Sequence, residues 1–578
     1  MATAIFVSRP RTTSYRKDRK MAQIHGGESF IRMLEKEGVR QVFGLHGGHV
    51  DPIFQACLDH SIKVYDARHE AAAGHMAEGW ARTTRSPGVV IVTAGPGVAN
   101  VVTAVLDAQM DAVPMVVVGG RHAVKEDEML SLQDFDGLSL LKPITKWART
   151  VLVPERIAEF TAMAFRQATT GRPGPVFLEI PIDVMFAKVD EAAVRFPETY
   201  RPQAAPAPSP EAVEELLALL AEAKRPLIVA GRGVWFADAT AELREFAERT
   251  QTPVLANGMT RGAVPEDGHP LGAGGLGTIA ILGLLPGGQP DLVVLLGARI
   301  GMFMGGGRWI APEAKVIQVD IAGEEIGRNR DVQLGIVADC REALRALNRA
   351  AEGRQFADRK EWLETLQNAK QGSRFLYKEA LESDAVPMHP FRLASEVDHF
   401  LGEDDILVVD GGETYVWMQM AATMAKPGHM ICYGYLGCLG TGVPFGLAAQ
   451  IAHPNKRVLV ITGDGSLGLN FAEFETAVRH KLPIVVVVNN DQAWGMVKHE
   501  QQLRWGKDRV VGTELGVVRY ERAAEGFGVY GELVEKPTEV AAALERAFAS
   551  GRPACINVMV DTEPPSPVTV ASVLSTWS

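Results

Sequence analysis

Cysteine is scarce. The chain has five (Cys57, Cys340, Cys432, Cys438 and Cys555), scattered and without a CxxC pair. That excludes a disulfide framework and the usual spacing of a zinc or dithiol site, so a reducing, cytoplasmic setting is expected. Long apolar runs are missing as well: none approaches the ~18 residues needed to cross a bilayer. The longest, around Val113–Val118 and Pro483–Val488, have strand length. Excess positive charge is absent. With 59 Lys and Arg against 70 Asp and Glu, the net charge of −11 gives no bulk attraction to nucleic acid or an anionic membrane. There is no short-period repeat and no low-complexity segment. What remains is ordinary globular composition, 47% hydrophobic and 22% charged, in a chain of 578 residues that is too long for one core.

Residues 1–20 hold six Lys or Arg and one acid but lack the apolar core of a secretory signal, and are read as an extension. After them, short β-branched runs alternate with helical patterns. Gln41–Leu45, Gly88–Thr93 and Pro114–Gly119 read as strands, and Glu28–Glu37, His69–Ala81 and Asn100–Met110 as helices. That alternation predicts an α/β fold with parallel sheets covered on both faces. A proline-rich stretch from Arg195 to Pro210 and a charged helical stretch from Cys340 to about Asp384 divide the chain. The expected plan is three doubly wound parallel-sheet domains, 21–190, 211–345 and 385–565. A linker (191–210), a helical connector (346–384) and a tail (566–578) complete it.

The third unit carries the clearest chemistry. Gly463-Asp464-Gly465-Ser466-Leu467-Gly468 follows the run Arg457–Thr462 and precedes a helix at Phe471–Lys481. In form this is the G-x-G-x-x-G of a dinucleotide fold, so an NAD-dependent oxidoreductase is one reading. Asp464 speaks against it, because its carboxylate would repel a bare pyrophosphate unless a divalent cation lay between them. The next strand ends in Asn489-Asn490-Asp491. Adjacent strands of a βαβ unit end side by side, so Asp464 and Asp491 should reach one point, two hard oxygen ligands suited to Mg²⁺. The glycines let backbone approach a diphosphate closely.

These motifs resemble the thiamine-diphosphate enzymes of the acetolactate synthase and benzaldehyde lyase superfamily, from about Met21 to Asp561. The resemblance implies a pyrimidine-binding first domain, a middle domain and a diphosphate-binding third domain. It also implies an active site between two chains, hence a homodimer or homotetramer. Asp491 stands where the family has a second asparagine and keeps an oxygen ligand; the Ala493 carbonyl would be the third protein ligand. Gly412, Gly465 and Ser466 match positions beside the diphosphate. Glu70, in RHEAAAGHMAEG, matches the acid that drives the aminopyrimidine to its imino tautomer. Glu78 is read as a helix-face residue. Leu439 matches the bulky apolar side chain that props the cofactor's bend.

Other residues bear on the substrate. His46-Gly47-Gly48-His49 resembles benzaldehyde lyase, where the second histidine, here His49, relays protons at the substrate hydroxyl. Gln133 matches a glutamine that contacts the substrate oxygen. After Trp494-Gly495 the chain departs from benzaldehyde lyase. Glu500 there looks like the acid of 2-hydroxyacyl-CoA lyases, a general acid–base group. The expected activity is therefore a Mg²⁺- and thiamine-diphosphate-dependent carbon–carbon lyase and carboligase. Its substrates would be an aldehyde, a 2-hydroxy ketone or an acyl-CoA. An acetolactate synthase-like decarboxylase and carboligase is the alternative, although the Gln133 loop lacks that family's pattern and no long flavin loop is evident. Leu296–Arg299 and Val319–Ile321 resemble segments of the family's middle domain that occur with and without flavin and so decide nothing; FAD is possible but not expected. Arg261 and Arg308 are read as surface arginines rather than contacts for an acyl-CoA tail.

Overall fold

The computed structural model describes residues 22–285 and 287–575, so the 1–20 extension and the last three residues of the tail lie outside the described residues. A short antiparallel ribbon pairs β1 (Gln23–His25) with β8 (Lys188–Asp190) around the first unit. That unit's sheet contains β2 (Gln41–Leu45), β3 (Lys63–Asp66), β4 (Gly88–Val92), β5 (Met115–Arg121), β6 (Trp147–Thr150) and β7 (Pro175–Pro181). They lie parallel in the order β3-β2-β4-β5-β7-β6.

The middle sheet holds β9 (Pro226–Ala230), β10 (Val254–Ala256), β11 (Leu292–Leu296), β12 (Lys315–Asp320) and β13 (Leu334–Val337). Their order is β10-β9-β11-β12-β13. The third sheet holds β14 (Ile406–Val409), β15 (Met430–Cys432), β16 (Val458–Gly463), β17 (Val485–Asn490), β18 (Tyr530–Val534) and β19 (Ala554–Met559). It is ordered β15-β14-β16-β17-β19-β18, the topology of the first sheet repeated. The α/β plan of three parallel-sheet units is thus the observed fold. Its central strands are continuous Val/Ile/Leu runs because helices bury both faces.

The first and third units share one apolar core, in which Phe43, Met76 and Val92 join Val408, Phe445, Val460 and Val486. The contact is made by the helices Glu70–Thr84 and Gly442–Ala452. The middle unit keeps cores of its own, and the helix Lys360–Leu376 packs on it through buried Trp362 and Leu366. The proline-rich stretch is tied down where Tyr200 and Arg201 both donate to Glu37.

Glu78, on its helix face, is fully buried, and Arg82, one helical turn on, donates to it at 2.5 Å. Arg308 is exposed, but Arg261 is 2% exposed. Its guanidinium donates to both oxygens of Glu266 at 2.8 and 2.6 Å and to the Ala422 carbonyl at 2.6 Å, joining the middle and third units. Removing one partner of a buried pair strands the other charge. Arg261→Met is expected to cost about 3–5 kcal/mol of unfolding free energy, read as a lowered urea midpoint. Arg308→Met should stay within about 0.5 kcal/mol.

Candidate active site

Strand order places the third unit's switch point between β14 and β16, which neighbour each other while their chains continue in opposite directions across the sheet. Ligands of such sheets bind at that crevice, outside the strands' carboxyl ends. Here β14 runs into Asp410-Gly411-Gly412 and β16 into Gly463-Asp464. Gly411 has φ +99°, and a Cβ on it would lie 2.9 Å from the Gly463 nitrogen. A Cβ on Gly465 would lie 2.7 Å from the Trp494 ring. The two strand ends therefore form a cradle of bare backbone.

Gly463 is in register with Asn489 of β17, so Asp464 and Asp491 emerge side by side, as their spacing predicts. Both are buried. Burial and then the neighbouring Asp491 carboxylate push Asp464 well above the usual carboxylate range, and burial likewise raises Asp491. Asp464 Oδ2 has no hydrogen-bond partner, whereas Asp491 Oδ1 accepts from the Ala493 N–H at 3.2 Å. An orphaned buried oxygen beside a second carboxylate, over a glycine cradle, fits a divalent cation with a diphosphate. Asn489 is committed elsewhere, donating to Thr414 at 3.0 Å.

The hydroxyl of Ser466 is also committed: it donates to Asp410 Oδ1 at 2.7 Å and accepts from the Gly440 N–H at 2.9 Å. Only its backbone remains for a ligand. Asp410, fully desolvated, additionally accepts from Gly411 N and Gly442 N at 2.7 and 2.9 Å. It thereby ties the cradle to the loop that carries half-buried Leu439.

Glu70 opens the helix Glu70–Thr84 and is 7% exposed; exposed Asn100 donates to its Oε2 at 3.0 Å. The turn before it is held from the third unit, where buried Glu473 accepts from the Arg68 N–H at 3.1 Å. At the carboxyl edge of the first sheet, His49 Nδ1 lies 3.4 Å from Thr93 Oγ1, and a Cβ on Gly120 would lie only 2.5 Å from the His49 Cβ. Burial, then the nearby His122, lowers the His49 pKa. Gln133 packs against Gly95 in a left-handed conformation (φ +64°), with its Oε1 buried and unpartnered. His49, Thr93, Gly95 and Gln133 are thus brought to one edge. No hydrogen bond or ion pair joins Glu70 or this edge to Asp464 or Asp491 among the described residues of the chain.

Glu500 lies on the helix Gly495–Trp505, half-buried, and accepts from Ser572 at 3.2 Å. Sequence reasoning missed the pair beneath it. His499 Nδ1 lies 2.8 Å from Glu413 Oε2, while Nε2 donates to the Thr562 carbonyl at 2.8 Å. Burial alone would lower the His499 pKa; Glu413 outweighs it and the net direction is up. Glu413 also accepts from Ser566 N and Thr569 Oγ1, pinning the segment after β19 beside the site. Glu413 follows the quoted glycines directly, but its partners lie 86 and more than 150 residues away, so no local pattern marks it.

Three family models match the chain. The N-terminal TPP binding domain of thiamine pyrophosphate enzymes covers residues 24–140, the central domain 213–347 and the C-terminal TPP binding domain 410–558. The chain belongs to the thiamine pyrophosphate enzyme family. That membership sets aside the NAD-dependent reading of Gly463–Gly468. The chain is 34% identical over 538 residues to a probable acetolactate synthase of Mycobacterium bovis, covering 93% of this chain and 96% of that one. It is 32% identical to the acetolactate synthase isozyme 1 large subunit of Escherichia coli, covering 96% of each. It is 31% identical to 2-hydroxyacyl-CoA lyase 2 of Homo sapiens, covering 93% and 90%. No helix among the described residues is long and apolar enough to cross a membrane.

Asp464→Asn separates the two consequences of a buried carboxylate pair. Without cofactor, loss of one charge should leave stability unchanged or raise it by about 1 kcal/mol, read as Tm. With Mg²⁺ and thiamine diphosphate, binding should weaken at least ~10-fold, or ~1.4 kcal/mol, read by calorimetric titration.

Proposed function

We propose that this chain is a Mg²⁺- and thiamine-diphosphate-dependent carbon–carbon lyase and carboligase acting on 2-hydroxy carbonyl compounds. Thiamine diphosphate, when bound, supplies an electron sink for the carbanion left beside a cleaved bond. In this reading Asp464, Asp491 and the Ala493 carbonyl hold the cation. Gly412, Gly465 and the Ser466 backbone approach the diphosphate. Leu439 supports the bent cofactor, and Glu70 holds a proton at the pyrimidine nitrogen.

The observation that carries the lyase reading is Glu500. It is a half-buried carboxylate on the helix that starts four residues after Asp491, oriented by Ser572. A group so placed suits proton exchange at a substrate hydroxyl. His49 and Gln133 offer a largely neutral imidazole and an unpartnered amide oxygen to the substrate's polar atoms. The human relative's name, 2-hydroxyacyl-CoA lyase 2, supports a thioester substrate.

The reading includes a site completed by a second copy, in a homodimer or homotetramer. Five free, buried cysteines suit a cytoplasmic setting. The names of the bacterial relatives favour a second reading, decarboxylation of a 2-oxo acid followed by carboligation. A cavity of about 710 Å³ at the carboxyl edge of the middle sheet is large enough for a nucleotide moiety and does not choose between the readings.

The test is to incubate the Mg²⁺- and cofactor-loaded enzyme separately with benzoin, a short 2-hydroxyacyl-CoA and pyruvate. Release of benzaldehyde or formyl-CoA is expected; acetolactate from pyruvate with neither cleavage would favour the second reading. Glu500→Gln should lower cleavage at least ~10-fold, ~1.4 kcal/mol in the barrier, with thiamine diphosphate binding unchanged. Glu70→Gln should remove activity on every substrate.

A further inference from the structure

Asp111, at the C-terminus of the helix Val102–Asp111, is 1% exposed and receives groups from all three units. From its own unit, Arg82 Nη2 donates to Oδ2 at 2.7 Å. From the middle unit, Arg232 Nη1 lies 2.5 Å and Arg299 Nη2 3.7 Å from Oδ1. From the third unit, the Tyr435 N–H donates to Oδ1 at 3.2 Å. The carboxylate lies so close to the neighbouring Gly434 that a Cβ there would come within 1.6 Å of Oδ2. Arg299 also stacks on the Tyr435 ring, 4.4 Å from its centroid.

Tyr435 begins the loop that carries Leu439, and the far end of that loop is fixed by a second buried carboxylate. Gly442 N donates to Asp410 Oδ2 at 2.9 Å, and Gly440 N donates to Ser466, which donates to Asp410. Between the two anchors the Gly437 N–H donates to the Gly434 carbonyl at 3.0 Å and Cys438 Sγ lies 3.7 Å from His75 Nε2, while Asn470 Nδ2 donates to the Gly440 carbonyl at 2.7 Å. The span is thus tied at its start to Asp111 through the Tyr435 N–H and at its end to Asp410, directly at Gly442 and through Ser466 at Gly440.

We propose that Asp111 is a positioning residue for Leu439, and that through Arg232 the middle unit sets the shape of the thiamine site without contributing a side chain to it. The inference rests on the assignment of Leu439 to the bent cofactor made above. If Arg232 or the Asp111 charge is removed, the Tyr435 end loosens, and Leu439 no longer stands where the cofactor needs it. A residue that served only to hold the units together would lower stability and leave cofactor affinity alone.

A double-mutant cycle on the full-length protein, saturated with Mg²⁺, tests this by calorimetric titration with thiamine diphosphate. Leu439→Ala and Asp111→Asn are each expected to raise the Kd at least ~10-fold, and the double variant to stay within ~3-fold of the weaker single one. Arg232→Gln, which keeps the carboxylate, runs through the same cycle and carries the test if Asp111→Asn does not fold. Two outcomes overturn the proposal: multiplying penalties in the double variant, or a lowered Tm with an unchanged Kd. If Leu439→Ala binds thiamine diphosphate as the wild type does, the assignment of Leu439 itself fails. That result is distinguishable from a cycle that shows no coupling.

Discussion

The helix Glu70–Thr84 lies against the helix Gly442–Ala452 so closely that a Cβ on Gly79 would stand 2.9 Å from Phe445. Each helix begins at a candidate site element. Glu70 is the first residue of one, and the loop with Leu439 leads into the other. Close packing of the two fuses the cores of the first and third units and so fixes both sets of residues on one rigid body. Both units have the same strand order. A crevice at the carboxyl edge therefore recurs in each, occupied by Asp410, Asp464 and Asp491 in one and by His49 and Gln133 in the other.

Around that scaffold the chemistry is set by carboxylates kept out of water. Those with cationic or N–H partners are structural: Glu78 with Arg82, Glu266 with Arg261, Asp410 with two backbone N–H groups and a serine. Asp464 and Asp491 differ, because two buried carboxylates face each other, with Glu413 and His499 also acting on Asp491. Burial of like charges is unfavourable, and a cation placed between them would relieve that cost. Glu413, paired with His499, lies next to this acidic pair and links it to the chain's C-terminal segment.

Periodicity located Gln41–Leu45 to the residue, and Gly88–Val92 to within one, because buried parallel strands are uninterrupted apolar runs. It passed over Val254–Ala256 and Met430–Cys432, three-residue edge strands, and Tyr530–Val534, where Gly and Glu break the run. The Gly463–Gly468 motif and the 27-residue spacing to Asp491 made the paired carboxylates legible, since both are consequences of one βαβ unit. The commitment of the Ser466 hydroxyl was not legible, because its acceptor, Asp410, lies 56 residues away.

The sequence by itself determined three parallel-sheet units, the meeting of Asp464 with Asp491, and the family, because each depends on local pattern or on neighbouring strands. Tertiary structure alone decided which charges are buried and what they hold. Glu78, Arg261, Glu413 and Asp111 look like ordinary surface residues in the chain, and each is desolvated by elements from other parts of it. A charge's burial depends on what packs over it, and its partners come from helices and loops that only the assembled fold brings together.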